Sequence, residues 1–197
     1  MTSASVLSPP PRYDGANLLN LTATLDAAFG NASPYLPLAE RALRERIMAA
    51  RCVVLWLIDG LGLEPLLALS PQGALAASVR AELASVYPSS TAAAVTTLAT
   101  ARPPVAHAVP EWFLWFEEFG AVYRALPLDP RDPQAGLPPV ADAATVYPQP
   151  ALTRRADRPC VAVLPAHLAG SAYSRYAYAG ARIVGVADEQ AFVQAIV

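Results

Sequence analysis

An α/β fold with a largely parallel sheet flanked by helices is what this sequence predicts, and three observations carry the prediction. The first is a near-continuous apolar run at residues 52–58 (CVVLWLI), closing on Asp59 and Gly60. A strand buried on both faces of a parallel sheet reads this way, without alternation, and delivers the residues after it to the open carboxyl edge of that sheet. The second is the return of shorter runs of similar character at residues 81–87, 160–165 (CVAVLP) and 182–186 (RIVGV). The third is that segments of helical periodicity separate these runs, the order expected of βαβ units.

Taken in order, residues 1–15 are polar and rich in proline (Pro9, Pro10, Pro11) and read as an irregular lead-in. Residues 17–30 (NLLNLTATLDAAFG) space their apolar side chains as an amphipathic helix and stop at Gly30. Pro34 and Pro37 interrupt, and residues 38–50 (LAERALRERIMAA) form a second helix with Glu and Arg on its solvent face. The strand at 52–58 comes next. Residues 61–79 read as one or two helical turns broken at Pro71. The strand at 81–87 ends before Pro88, and Ser89, Ser90 and Thr91 open an alanine-rich helix over 91–101, stopped by Arg102-Pro103-Pro104.

The aromatic stretch 112–120 reads as a helix end, 121–128 as strand, and 129–150, with six prolines, as a loop. The strand at 160–165, a helix at 167–180 and the strand at 182–186 complete the pattern, and Asp188 caps a final helix. No internal repeat is visible. The expected division is a lead-in with helices over 1–50 and an α/β domain over 51–197. Apolar helical periodicity runs to Val197 without a capping residue, so the domain is expected to be the front part of a longer one, incomplete at its C-terminus.

Composition narrows the function classes. At 197 residues the chain can bury one sizeable core. Hydrophobic residues are 54%, charged residues 15%, and the formal net charge is -2, with arginine as the sole basic residue type apart from two histidines. No basic stripe is present, which excludes a nucleic-acid partner. Cys52 and Cys160 each begin a predicted strand and read as reduced core residues. The first fifteen residues lack the basic and apolar regions of a signal peptide, and the 52–58 run falls far short of the ~20 residues of a membrane span. A soluble, cytoplasmic protein without a membrane partner is expected.

The chemistry concentrates at two places. Asp59 brings a carboxylate to a strand end, and Thr91 brings a hydroxyl to a helix N-terminus, where free N–H groups and the helix dipole favour a phosphate. A threonine hydroxyl is a poor nucleophile until its proton is lost, and a bound divalent cation can stabilise the alkoxide.

The strand ending in Asp59-Gly60 and the segment PSSTAAAVTTLATARPPVAHA (residues 88–108) resemble the alkaline phosphatase superfamily, closest to its type I phosphodiesterase/nucleotide pyrophosphatase branch. The resemblance implies an alkaline-phosphatase-like fold and a metal-dependent phosphoric ester hydrolase. It implies Thr91 as the nucleophile, Asp59 and Thr91 as metal ligands, and two divalent ions, usually zinc. The implied substrate is a phosphate ester or nucleotide-like small molecule. Ser90 is the alternative attacking hydroxyl.

His107 matches the histidine of the same motif and reads as structural, as does His167. Alanine stands where the family often has glycine, at Ala101 and Ala108, and Ala94 stands where the nucleotide pyrophosphatases carry an asparagine. The further Asp-x-x-x-His and Asp-His pairs that complete the two-metal site have no counterpart here, and Asp188 is followed by Glu189. The chain is therefore expected to hold an incomplete metal site, to be inactive alone, and to self-associate through an exposed sheet edge. The alternative is a non-catalytic α/β module that keeps an anion pocket at Thr91. A dinucleotide-binding reading is weak, because Gly60 and Gly62 lack a third glycine at the required spacing.

Overall fold

The computed structural model describes residues 12–196 as a mixed α/β chain of short helices and two small sheets. Most of the expected lead-in and Val197 lie outside the described residues. The centre is the helix α5 (Thr91–Thr100), with seven of its ten residues buried. Ala93 packs with Leu19 of α1 (Leu18–Ala28) and with Val86, while Ala92 and Ala99 belong to a larger aromatic cluster on another side. Alanine suits this position because it has the highest helix propensity and lets neighbours approach closely.

The expected helix at 17–30 is observed as α1, whose start is held by a reciprocal cap. Asn17 accepts from the Asn20 N–H, and the Asn20 side chain accepts from the Asn17 N–H. Although α1 reads as amphipathic, its polar side chains are also buried. Asn20 donates to the Leu36 carbonyl at 2.7 Å, and Thr24 Oγ1 accepts from the Leu38 N–H at 2.9 Å, which fastens the proline-interrupted connection to the helix. Asp26, 0% exposed at its side chain, pairs with Arg155 at 2.9 Å and Arg102 at 3.6 Å. Arg155 also donates to the Thr100 carbonyl. This buried cluster ties α1 to the end of α5 and to α7 (Leu152–Arg155). The second expected helix is α2 (Arg41–Ala49), which buries none of its residues.

Among the described residues, parallel strand pairing is confined to one pair of strands. Residues 53–58 belong to no strand, and residues 81–87 contribute a single bridge, Ala84 to Asn17. The parallel pairing present is β4 (Val161–Pro165) with β5 (Arg182–Val186), packed by α8 (Ala166–Ala169) and α10 (Glu189–Ile196). Strand stability comes from ladder bonds and cross-strand side-chain pairs, and apolar composition supplies neither. Cys52 is accordingly exposed and Cys160 half-buried, both as free thiols, rather than core residues.

The other sheet joins the strand expected at 121–128 to one strand where a helix end was expected and one where a loop was expected. β1 (Phe113–Phe116), β2 (Ala121–Arg124) and β3 (Asp129–Pro130) form an antiparallel meander, with Gly120 at φ 58° closing the first connection. The proline-rich segment after it is anchored rather than loose. Val140, Ala143 and Tyr147 are buried with Phe116, Tyr123, and Tyr173 and Tyr176 of α9 (Ala172–Ala177). Each phenol finds an acceptor or partner: Tyr123 donates to Pro138, Tyr147 to Ala125 and Tyr176 to Gln149, and Tyr173 pairs with Thr96 of α5. Burial pushes the Tyr147 and Tyr173 hydroxyls well above the ordinary tyrosine range and Tyr176 up to about 12. Between the two expected helical regions, α3 (Leu63–Leu69) and α4 (Ala74–Ala77) form on either side of Pro71, as the sequence predicts. No helix among the described residues is long and apolar enough to cross a membrane.

Candidate functional site

The amino end of α5 is built by residues 88–110 from their own side chains. Ser90 is its N-cap, with Oγ accepting from the Ala93 N–H at 3.2 Å and donating to the Pro110 carbonyl at 2.8 Å. Both roles of that hydroxyl are committed. Thr91, the first residue inside the helix, is exposed, and no hydrogen bond holds its hydroxyl among the described residues. The N–H groups of Thr91 and Ala92 likewise have no backbone partner, as expected of a helix start. One free hydroxyl beside two free N–H donors is what the site offers.

His107 explains how Pro110 reaches Ser90. It ends the short helix α6 (Pro104–His107), is fully buried, and accepts at Nδ1 from the Val109 N–H at 3.1 Å. That acceptor role puts the ring proton on Nε2, which donates to Thr97 Oγ1 of α5 at 3.1 Å. Burial pushes the His107 pKa from 6.5 down to about 4. A neutral, doubly bonded imidazole thus clamps α6 and the returning chain against α5, in keeping with the structural reading of this residue. The two alanines that stand for family glycines are both left-handed, Ala101 at φ 53° and Ala108 at φ 61°. These positions end α5 and α6, where glycine is favoured because it carries no Cβ to clash.

Asp59 shares no hydrogen bond with this arrangement. It lies on an exposed turn with Gly60 at φ 77°, and its carboxylate makes no hydrogen bond or ion pair among the described residues. No group of three His, Cys, Asp or Glu side chains that could hold a metal occurs among the described residues. A carboxylate and a hydroxyl have the donor chemistry for a hard cation, but two donors do not make the three- or four-ligand set that retains zinc. The residues present do not fit a metal centre by themselves. His167, on α8, is exposed. Two open surface depressions, one lined by Thr24, Pro37, Arg44 and Met48 and the other by Gly62, Glu64, Val79 and Leu83, include neither Asp59 nor Thr91.

Sequence reasoning missed the Pro110 carbonyl as the partner of Ser90, since a backbone acceptor leaves no mark in side-chain identity. It also missed the Asp26 cluster, for which an aspartate inside the apolar run LTATLDAAF was a usable signal. Comparison of the chain with protein-family models, curated proteins and solved structures found no significant match in any of the three.

Proposed function

We propose that the chain carries the nucleophile segment of a phosphoric ester hydrolase of the phosphodiesterase/nucleotide pyrophosphatase type, with Thr91 as the attacking residue. The observation that carries this reading is the division of labour at the α5 start: Ser90 is consumed by capping and Thr91 is free. This favours Thr91 over Ser90. A phosphoryl oxygen placed at the helix end meets the Thr91 and Ala92 N–H groups and the positive end of the helix dipole. Attack forms an Oγ–P bond and breaks the bond from phosphorus to the leaving alkoxide, and the threonine proton passes through solvent to that alkoxide; water then cleaves the threonine ester, releasing the phosphate and restoring the hydroxyl. The two zinc-like ions of the family, with Asp59 and Thr91 among their ligands, the largely parallel alkaline-phosphatase-like sheet, the small phosphate-ester substrate and a cytoplasmic setting belong to the same proposal.

The test is mass spectrometry of the chain after incubation with bis-p-nitrophenyl phosphate, with and without added zinc. The expected result is one nitrophenylphosphoryl group on Thr91, nitrophenolate released up to one equivalent, and no adduct in Thr91→Ala. An adduct on Ser90 would transfer the role to that residue. No adduct on the folded wild-type chain, together with saturable phosphate protection of the Thr91 and Ala92 amides in NMR, would replace the hydrolase reading with a non-catalytic anion-binding module.

A further inference from the structure

The segment between α2 and the Asp59 turn belongs to no helix or strand, and its backbone has no partner among the described residues. From residue 51 to residue 61 no N–H or C=O takes part in a backbone hydrogen bond with any described residue. Val53 packs against the Leu25, Ala101 and Leu152 cluster, and the side chains after it are open to solvent: Val54 is 62% exposed, Leu55 48% and Trp56 59%. β-branched and aromatic residues on an unpaired extended backbone form a template for another strand.

We propose that the occupant is the same segment of a second copy, paired antiparallel about a two-fold axis at Leu55. Charge selects both the partner and its direction. Residues 52–58 are uncharged, and the run is bounded by exposed Arg51 at one end and exposed Asp59 at the other, with Leu55 midway. Antiparallel pairing sets Arg51 of each copy opposite Asp59 of the other, Val53 opposite Leu57, and Val54 opposite Trp56. Parallel, in-register pairing would set arginine against arginine and aspartate against aspartate, which directly opposed positions disfavour. The interface is isologous and closes at two copies.

A stable complex buries about 800 Å² per partner, more than two strands alone supply. Leu61, Leu67, Leu69 and Leu75, all exposed in the adjoining stretch, provide further apolar surface for the same association. The proposal uses nothing at Thr91 but shares Asp59 with the hydrolase reading, so the Arg51→Asp reversal, which leaves Asp59 in place, tests the dimer separately from that reading.

Sedimentation velocity of the purified chain tests it. A discrete dimer at micromolar concentration is expected. Arg51→Asp or Asp59→Arg alone should weaken it about tenfold or more by opposing like charges, and the double exchange should restore it. A chain that stays monomeric, a dimer indifferent to the single reversals, or a double exchange that does not restore pairing would each overturn the proposal. Orientation is read by disulfide trapping in a Cys52→Ser, Cys160→Ser background. Residues paired across an antiparallel ladder have Cα atoms about 4.5–5.5 Å apart, within disulfide range. Leu55→Cys should therefore cross-link readily and Val54→Cys, two positions off its twin, much less. Equal trapping at both positions would overturn the antiparallel register.

Discussion

Residues 88–110 and residues 51–61 carry the two halves of one resemblance, and they meet opposite fates. In the first, the hydrogen-bond partners of Ser90 and His107 lie within some twenty positions: Ser90 finds Ala93 and Pro110, and His107 finds Thr97 and Val109. In the second, a more apolar sequence packs only Val53 against the Leu25, Ala101 and Leu152 cluster, and tryptophan and leucine side chains stand in solvent. Helical hairpins satisfy their backbone locally, whereas a strand depends on another strand brought to it. Hydrophobicity alone does not decide burial. The availability of a partner does.

Two aromatic residues of opposite setting put this contrast to its hardest test. Tyr123, 1% exposed, lies in the aromatic cluster, and Tyr123→Ala should cost about 3–5 kcal/mol of unfolding free energy. Trp56→Ala, measured at concentrations where the chain is monomeric, should stay within about 0.5 kcal/mol. Urea unfolding of both variants checks the pair, and a large cost at Trp56 would mean that the segment is packed after all.

The next effect comes from His107. Below pH 6.5 the unfolded chain takes up a proton that the folded chain refuses until about pH 4. Its contribution is therefore fully present above 6.5 and is lost as pH falls toward 4, a change of roughly 3 kcal/mol. His107→Gln should flatten that part of the stability profile, measured by urea unfolding between pH 4 and 7.5.

Smaller effects separate the neighbours at the α5 start. Ser90→Ala removes the cap and should cost about 1–2 kcal/mol, while Thr91→Ala should lower stability by less than about 0.5 kcal/mol. Thermal melts of the two variants side by side decide this, and equal losses would show that Thr91 is structurally engaged. A change of comparable size is a gain: Ala108→Gly relieves an exposed left-handed alanine and should stabilise by about 0.5–1 kcal/mol, after the entropy glycine adds to the unfolded chain. A loss at this position would contradict the observed backbone conformation.

Much of the helix content was legible in the sequence, because capping and periodicity are local. Asp188 caps where the pattern places it, α1 falls within the periodic stretch 17–30, α5 begins at Thr91 and stops ahead of Arg102-Pro103-Pro104, and Pro71 divides α3 from α4. The strands at 161–165 and 182–186 were legible too, each bounded by turn residues and separated by helix. The stretch 112–119 was not, since an aromatic run has no period to distinguish strand from helix, and its β-hairpin is decided by pairing with 121–124 and by the left-handed Gly120. Nor was the fate of 52–58, whose apolar composition reads as a buried strand wherever it stands.

For the candidate site, the sequence by itself determined that a hydroxyl cluster opens an alanine-rich helix and that a carboxylate closes an apolar run. Only the tertiary structure decided which hydroxyl is free, because Ser90 is taken by the Pro110 carbonyl, an acceptor twenty residues away that no side chain announces. Only it decided that Asp59 stands alone, since bringing a strand end to a helix start requires a sheet between them, and sheet pairing is a property of chain segments meeting in space rather than of either segment's residues.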